Sequence, residues 1–128
     1  MAKSVIESKI AKAIGPYSLG IAAGDYVFLS GQIPLDGATG KIVDGGIEAQ
    51  TEQVFKNIKA LLETSGAKME QVVKSTVFMT DLGEFQAMNG IYASHVPQPY
   101  PARSTIQVAG LPMGAKVEIE MIIWKSGT

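Results

Sequence analysis

The chain has 128 residues, 46% hydrophobic and 18% charged, with a formal net charge of −1 at pH 7 and no cysteine. That length sustains one hydrophobic core, the near-neutral charge offers no electrostatic footprint for nucleic acid or an anionic membrane, and the missing cysteines remove disulfides, thiolate catalysis and thiolate metal sites. Apolar runs are only a few residues long, far short of a membrane span, and "MAKSVIESKIAKAIG" lacks the continuous apolar stretch of a signal peptide, so the expectation is a cytoplasmic protein with no membrane and no nucleic-acid partner.

In chain order, "SVIES" reads as a weak first strand, and "YSLGIAAGDYVFLSGQI" as two strands around the turn "AAGD". "PLDGATGKIVDGG" is rich in glycine, opens on Pro34 and reads as loop. From Ile47 the apolar positions Ile47, Val54, Phe55, Ile58, Leu61 and Leu62 fall at helical spacing, with Gly66 as the stop. "VVKSTVFMTDL" is a β-branched strand. A second helix follows, with Phe85, Met88, Tyr92 and Val96 on one face and Pro97 and Pro99 at its end. Two further strands, Ala102 to Ala109 and Lys116 to Trp124, close the chain. No internal repeat or linker is visible.

This order is α+β: a mixed sheet with two helices packed on one face. The strands nonetheless carry large apolar side chains on both faces, Tyr26 and Phe28 alternating with Val27 and Leu29. Two helices cannot cover two faces, so the second face is expected to meet another subunit.

One charge stands out. In "PYPARSTIQV", Arg103 shares a strand face with Thr105 and Gln107, while Ala102, Ser104, Ile106 and Val108 take the other. In the last strand Val117, Ile119, Met121 and Ile123 form one face and Glu118 and Glu120 the other. Arg103 reads either as an anion clamp, a planar fork of donors for a carboxylate, or as the partner of Glu118 or Glu120 in a structural ion pair. If the last two strands form a hairpin, Arg103 lies ~17 Å along from Glu118; if another strand separates them, the lateral gap alone is ~9.5 Å. Neither gives a close pair within one chain, and a pair across subunits remains.

The stretches "AIGPYSLGI", "FLSGQIP", "QVFKNIKALLETSGA", "VVKSTVFMTDL" and "PYPARSTIQVAGLPMGAKVEIE" resemble the RidA/YjgF family of reactive-imine deaminases, from about Ala13 to Ile123. The resemblance implies a single domain over residues 1–128 with a chorismate-mutase-like α+β fold. It also implies a homotrimer whose sheets form a central barrel, with ligand clefts between subunits. It further implies 2-iminobutanoate/2-iminopropanoate deaminase activity, in which water adds to the imine carbon and ammonia leaves a 2-keto acid, with no cofactor. By the same resemblance Arg103 matches the carboxylate clamp and Glu118 the group that orients water or accepts its proton. Ser30 and Gly31 of "SGQ" let a planar substrate approach backbone, Tyr17 is a wall or hydrogen-bonding group, and Asn89 is a polar contact. Thr105 stands where many relatives have cysteine, at a contact made largely through backbone.

Each position also has a plain structural reading: Tyr17 as core, Ser30 and Gly31 as a strand end, Asn89 as an exposed helix residue, Glu118 as a solvated carboxylate. "GATGK" lacks the spacing of a phosphate loop and has Ile42 where Ser or Thr is needed. "SGAK" lacks the companions of an S-x-x-K enzyme. His95, the one histidine, cannot build a triad or a multi-histidine metal site and is expected at the surface near helix-end carbonyls. Three functions remain: imine deaminase, ribonuclease or translation inhibitor, and a non-enzymatic binder or chaperone-like trimer. The net charge and the lone histidine disfavour the ribonuclease.

Overall fold

The computed structural model describes residues 2–126. Its main sheet has six strands in the order β1-β2-β3-β6-β4-β5 once strands are labelled by their place in this sheet. They are β1 (Ser4–Ile6), β2 (Gly20–Ala23), β3 (Tyr26–Gln32), β4 (Val72–Met79), β5 (Ala102–Gln107) and β6 (Val117–Trp124). Two helices, α1 (Ile47–Ser65) and α2 (Phe85–His95), complete the mixed α+β architecture expected from the element order.

The last strand is inserted at the centre of the sheet. β6 pairs antiparallel with both β3 and β4, while β5 runs parallel to β4 at the edge. The closing strands are therefore not a hairpin; β4 lies between them. A parallel neighbour needs a crossover, and α2 supplies it between β4 and β5. The segment "PLDGATGKIVDGG" is not plain loop. It contains a small antiparallel pair, Leu35–Asp36 with Lys41–Ile42. Its turn is held by Asp36, whose side chain accepts from the Ala38 amide at 2.9 Å and whose carbonyl accepts from the Gly40 amide at 2.8 Å. Strands of two residues are too short to show a period.

The core lies between one sheet face and the helices. Val27, Leu29, Val77, Met79, Val117, Ile119, Met121 and Ile123 meet Val54, Phe55, Ile58, Leu61, Met88 and Tyr92. Every apolar position read on the α1 stripe is buried. The helix stops where Gly66 takes the left-handed conformation at φ 73° and its amide bonds back to the Glu63 carbonyl. Asn57, also buried, donates to the carbonyls of Ile33 and Leu35 at 3.0 and 2.9 Å and so ties the small strand pair to the helix.

The other sheet face carries no helix. Tyr26 lies opposite Trp124 and Phe28 opposite Ile122. Tyr26, Phe28 and Trp124 are each more than 40% exposed, and Lys74, Thr76 and Glu120 lie beside them. His95 departs from its expected surface position. Its ring stacks on Phe55 at 4.7 Å and 10°, between Glu52 Oε1 (2.5 Å from Nε2) and Lys59 Nζ (2.7 Å from Nδ1). Apolar stacking draws it inward and two opposite charges satisfy its nitrogens.

Candidate functional site

Register decides where the expected residues point. Directly paired residues share a sheet face. Arg103 pairs with Ser75, and Ser75 with Met121, a core residue, so Arg103 faces the helices. Glu118 pairs with Phe78, one step out of that phase, and faces the helix-free side. The polar face of β5 is thus the covered one. α2 accepts it because its aromatic rings take the guanidinium: Arg103 Cζ is 4.7 Å from the Tyr92 ring centre and 5.6 Å from that of Phe85. Among the described residues Arg103 makes no hydrogen bond and no ion pair. An intrachain pair with Glu118 or Glu120 does not form, because the two carboxylates lie on the opposite face of the sheet.

The expected residues fall into two groups. In the first, Arg103 and Asn89 line a cavity of about 360 Å³ together with Tyr92, Ala93, Tyr100 and Pro101. Asn89 and Ala93 are four apart on α2, so one helix face forms a wall. Thr105 shares the inward face with Arg103, and its hydroxyl is buried without a hydrogen-bond partner among the described residues. In the second group, Gly31 lies directly against Glu118. A Cβ on Gly31 would come within 2.1 Å of Glu118 Oε2, so a larger residue there would push the carboxylate aside. Ser30 precedes it, with its hydroxyl donated to the Ser18 carbonyl at 2.6 Å. That bond fixes the segment leading from Tyr17, which lines a small space with Gly31, Gln32 and Asn57. Tyr17 is 47% exposed and fills no core.

Glu118 is half-buried, and its carboxyl is raised above the ordinary carboxylate value, first by burial and then by the neighbouring Glu120 charge. A carboxylate so shifted is a better proton acceptor than a solvated one. Within one chain Arg103 and Glu118 lie on opposite faces of the sheet. A depression of about 480 Å³ lies elsewhere, beside Glu52, Lys56, Lys59 and His95. It contains none of the expected residues, and its histidine is already engaged on both nitrogens.

Tyr92, Tyr100 and Pro101 were not legible as site residues. Tyr92 occupies a core-facing helical position, where an aromatic is ordinary packing. Tyr100 and Pro101 belong to the motif stretch "PYPARS", and their proximity to Arg103 is the signal that could have found them.

The family profile described as Endoribonuclease L-PSP matches residues 7–124. Reactive Intermediate Deaminase A, chloroplastic, from Arabidopsis thaliana is 50% identical over 121 residues, covering 94% of this chain and 65% of that protein. A protein of Dermatophagoides farinae named 2-iminobutanoate/2-iminopropanoate deaminase is 43% identical over 122 residues, covering 94% and 95%. Among solved structures, YyfA of the conserved Rid protein family from Yersinia pestis superposes with a TM-score of 0.92 at 47% identity, covering 96% of this chain and 99% of that one.

Proposed function

Because the chain belongs to the RidA/YjgF family, we propose that it hydrolyses reactive 2-imino acids, 2-iminobutanoate and 2-iminopropanoate, in clefts formed where copies of the chain meet as a homotrimer. The observation that carries this reading is Arg103: a guanidinium in a lined cavity with no anion beside it among the described residues. Its planar fork suits the carboxylate of an imino acid, held by two parallel hydrogen bonds.

Glu118 takes the second role. Water attacks the imine carbon while the Glu118 carboxylate accepts its proton and passes it to the nitrogen; the carbinolamine hydroxyl proton then follows the same route to nitrogen as the C–N bond breaks, so ammonia leaves and the 2-keto acid remains. The missing Cβ at Gly31 lets the Glu118 carboxylate lie close against the backbone, where a planar substrate would meet it. Tyr17 and Ser30 shape the Glu118 side, Asn89 the Arg103 side, and Thr105 contributes its backbone. The apolar helix-free face supports the trimer, as does the placement of Arg103 and Glu118 on opposite sides of one sheet. In a closed ring each interface is heterologous, so one copy supplies Arg103 and the next Glu118. A ribonuclease, the activity in the family profile's description, would need a positioned acid and base; the one histidine is engaged by Glu52 and Lys59.

The first test is 2-keto acid release from freshly generated 2-iminopropanoate. Release no faster than uncatalysed decay would leave a binder. The second is complementation. Arg103→Ala and Glu118→Ala, each inactive alone, are unfolded and refolded in equal amounts. Random assembly should recover roughly a quarter of the sites, by the symmetry of the ring. If refolded parental protein regains activity and the mixture stays dead, sites shared between copies are ruled out.

A further inference from the structure

Arg103 is held in an uncommon way. Buried or half-buried arginines are ordinarily fixed by carboxylates, which use up their N–H donors and offset their charge. Among the described residues none of its donors is used here. The guanidinium lies over the Tyr92 ring at 4.7 Å, with Phe85 at 5.6 Å. An aromatic face fixes the plane of the cation while leaving every N–H free for a ligand.

The ring is itself fixed. Tyr92 is 5% exposed, and its hydroxyl lies 2.7 Å from the Oγ of Ser75, a residue with no exposed surface. Ser75 is the direct neighbour of Arg103 across the parallel strand pair. Phe55 meets Tyr92 edge-on at 5.7 Å and 77°. A polar hydroxyl in the middle of an apolar strand face costs stability unless paired. Ser75 finds its pair in the residue whose ring supports the arginine beside it.

We propose that Tyr92, locked by Ser75, is a positioning residue: it sets the plane of the Arg103 guanidinium for two-pronged capture of a 2-oxo or 2-imino carboxylate. This rests on the reading of Arg103 as a carboxylate clamp. Ser75 and Tyr92 act through Arg103 and touch no reacting atom, so they affect substrate capture more than the chemical step.

The test compares Tyr92→Phe, Tyr92→Met, Ser75→Ala and Arg103→Ala for turnover of 2-iminopropanoate and for binding of 2-oxobutanoate. Tyr92→Met keeps an apolar, flexible side chain and loses the ring; it should raise KM and the 2-oxobutanoate Kd about tenfold, with kcat held within about threefold. Tyr92→Phe restores the ring and should return most of that loss. Ser75→Ala should raise KM about threefold. The Arg103 Nε–Hε signal in NMR should lose rigidity in Tyr92→Met and keep it in Tyr92→Phe. A folded Tyr92→Met protein with parental KM and a rigid Arg103 signal overturns the proposal. Should Tyr92→Met fail to fold, Ser75→Ala decides, since it leaves ring and core in place: an unchanged KM overturns the proposal. Arg103→Ala binding 2-oxobutanoate as the parent does is a separate failure, that of the clamp itself.

Discussion

Glu118 and Arg103 are separated laterally by β4, and a single step of the two-residue strand period sends them to opposite faces. The alternation of each strand was readable, including the separation of Glu118 and Glu120 from the apolar face of β6. What alternation cannot say is which face of an edge strand the helices cover. The face with Arg103, Thr105 and Gln107 looks like a solvent face and is turned inward, because Tyr92 and Phe85 compensate the guanidinium. Glu118 carries a pH consequence with a definite sign. Its raised carboxyl is protonated in both folded and unfolded chains well below 4.5, so it costs nothing there. As pH rises from 4.5 through the raised value, the fold holds a proton the unfolded chain has lost, and stability declines. Glu118→Gln should therefore raise the melting temperature by more at pH ~8 than at pH ~4. The comparison is best made in an Arg103→Ala background, where no guanidinium from another copy enters. An equal gain at both pH values would mean that the charge of Glu118 is not what the fold resists.

Among the elements, α1 was legible from cap to cap because its buried stripe is continuous and Gly66 stops it. The central position of β6 was not, since strand order depends on contacts between distant parts of the chain that no local pattern encodes. The small strand pair at Leu35–Asp36 and Lys41–Ile42 was missed for a different reason: strands of two residues show no period, and beyond the Asp36 turn the pair is tied down from outside, by Asn57 on α1. Asn57→Ala removes two donors: the Leu35 carbonyl loses its side-chain partner, and the Ile33 carbonyl keeps only the Leu35 amide. It should cost about 1–3 kcal/mol in denaturant unfolding. A loss below about 0.5 kcal/mol would mean that water replaces both bonds. Leu35 also borders the space shared by Tyr17 and Gly31, so the same change should perturb amide signals there.

At the scale of the whole molecule, the helix-free face is the feature a lone chain does not explain. The sequence pattern had called for cover on both sides of β3, and within one chain Tyr26, Phe28 and Trp124 remain open. If copies of the chain cover this face, assembly contributes to stability by mass action. The melting temperature should then rise with protein concentration, and dilution should not yield a stable folded monomer. A concentration-independent melt together with a monomer mass in dilute solution would refute the assembly. The proposed site residues also divide by the kind of backbone that carries them. Arg103 and Glu118 sit on strands β5 and β6 of the main sheet, whereas Tyr17 lies between β1 and β2 in a segment without regular strand or helix. The central strand β6 is laddered on both sides, so its amides should exchange with deuterium only through large-scale opening. Amides around residues 14–18 have no such ladder and should exchange early. A bound 2-oxo acid should then leave β6 unchanged in deuterium uptake and slow the uptake around Tyr17, so that the exposed end of the site records occupancy while its charged strands stay silent.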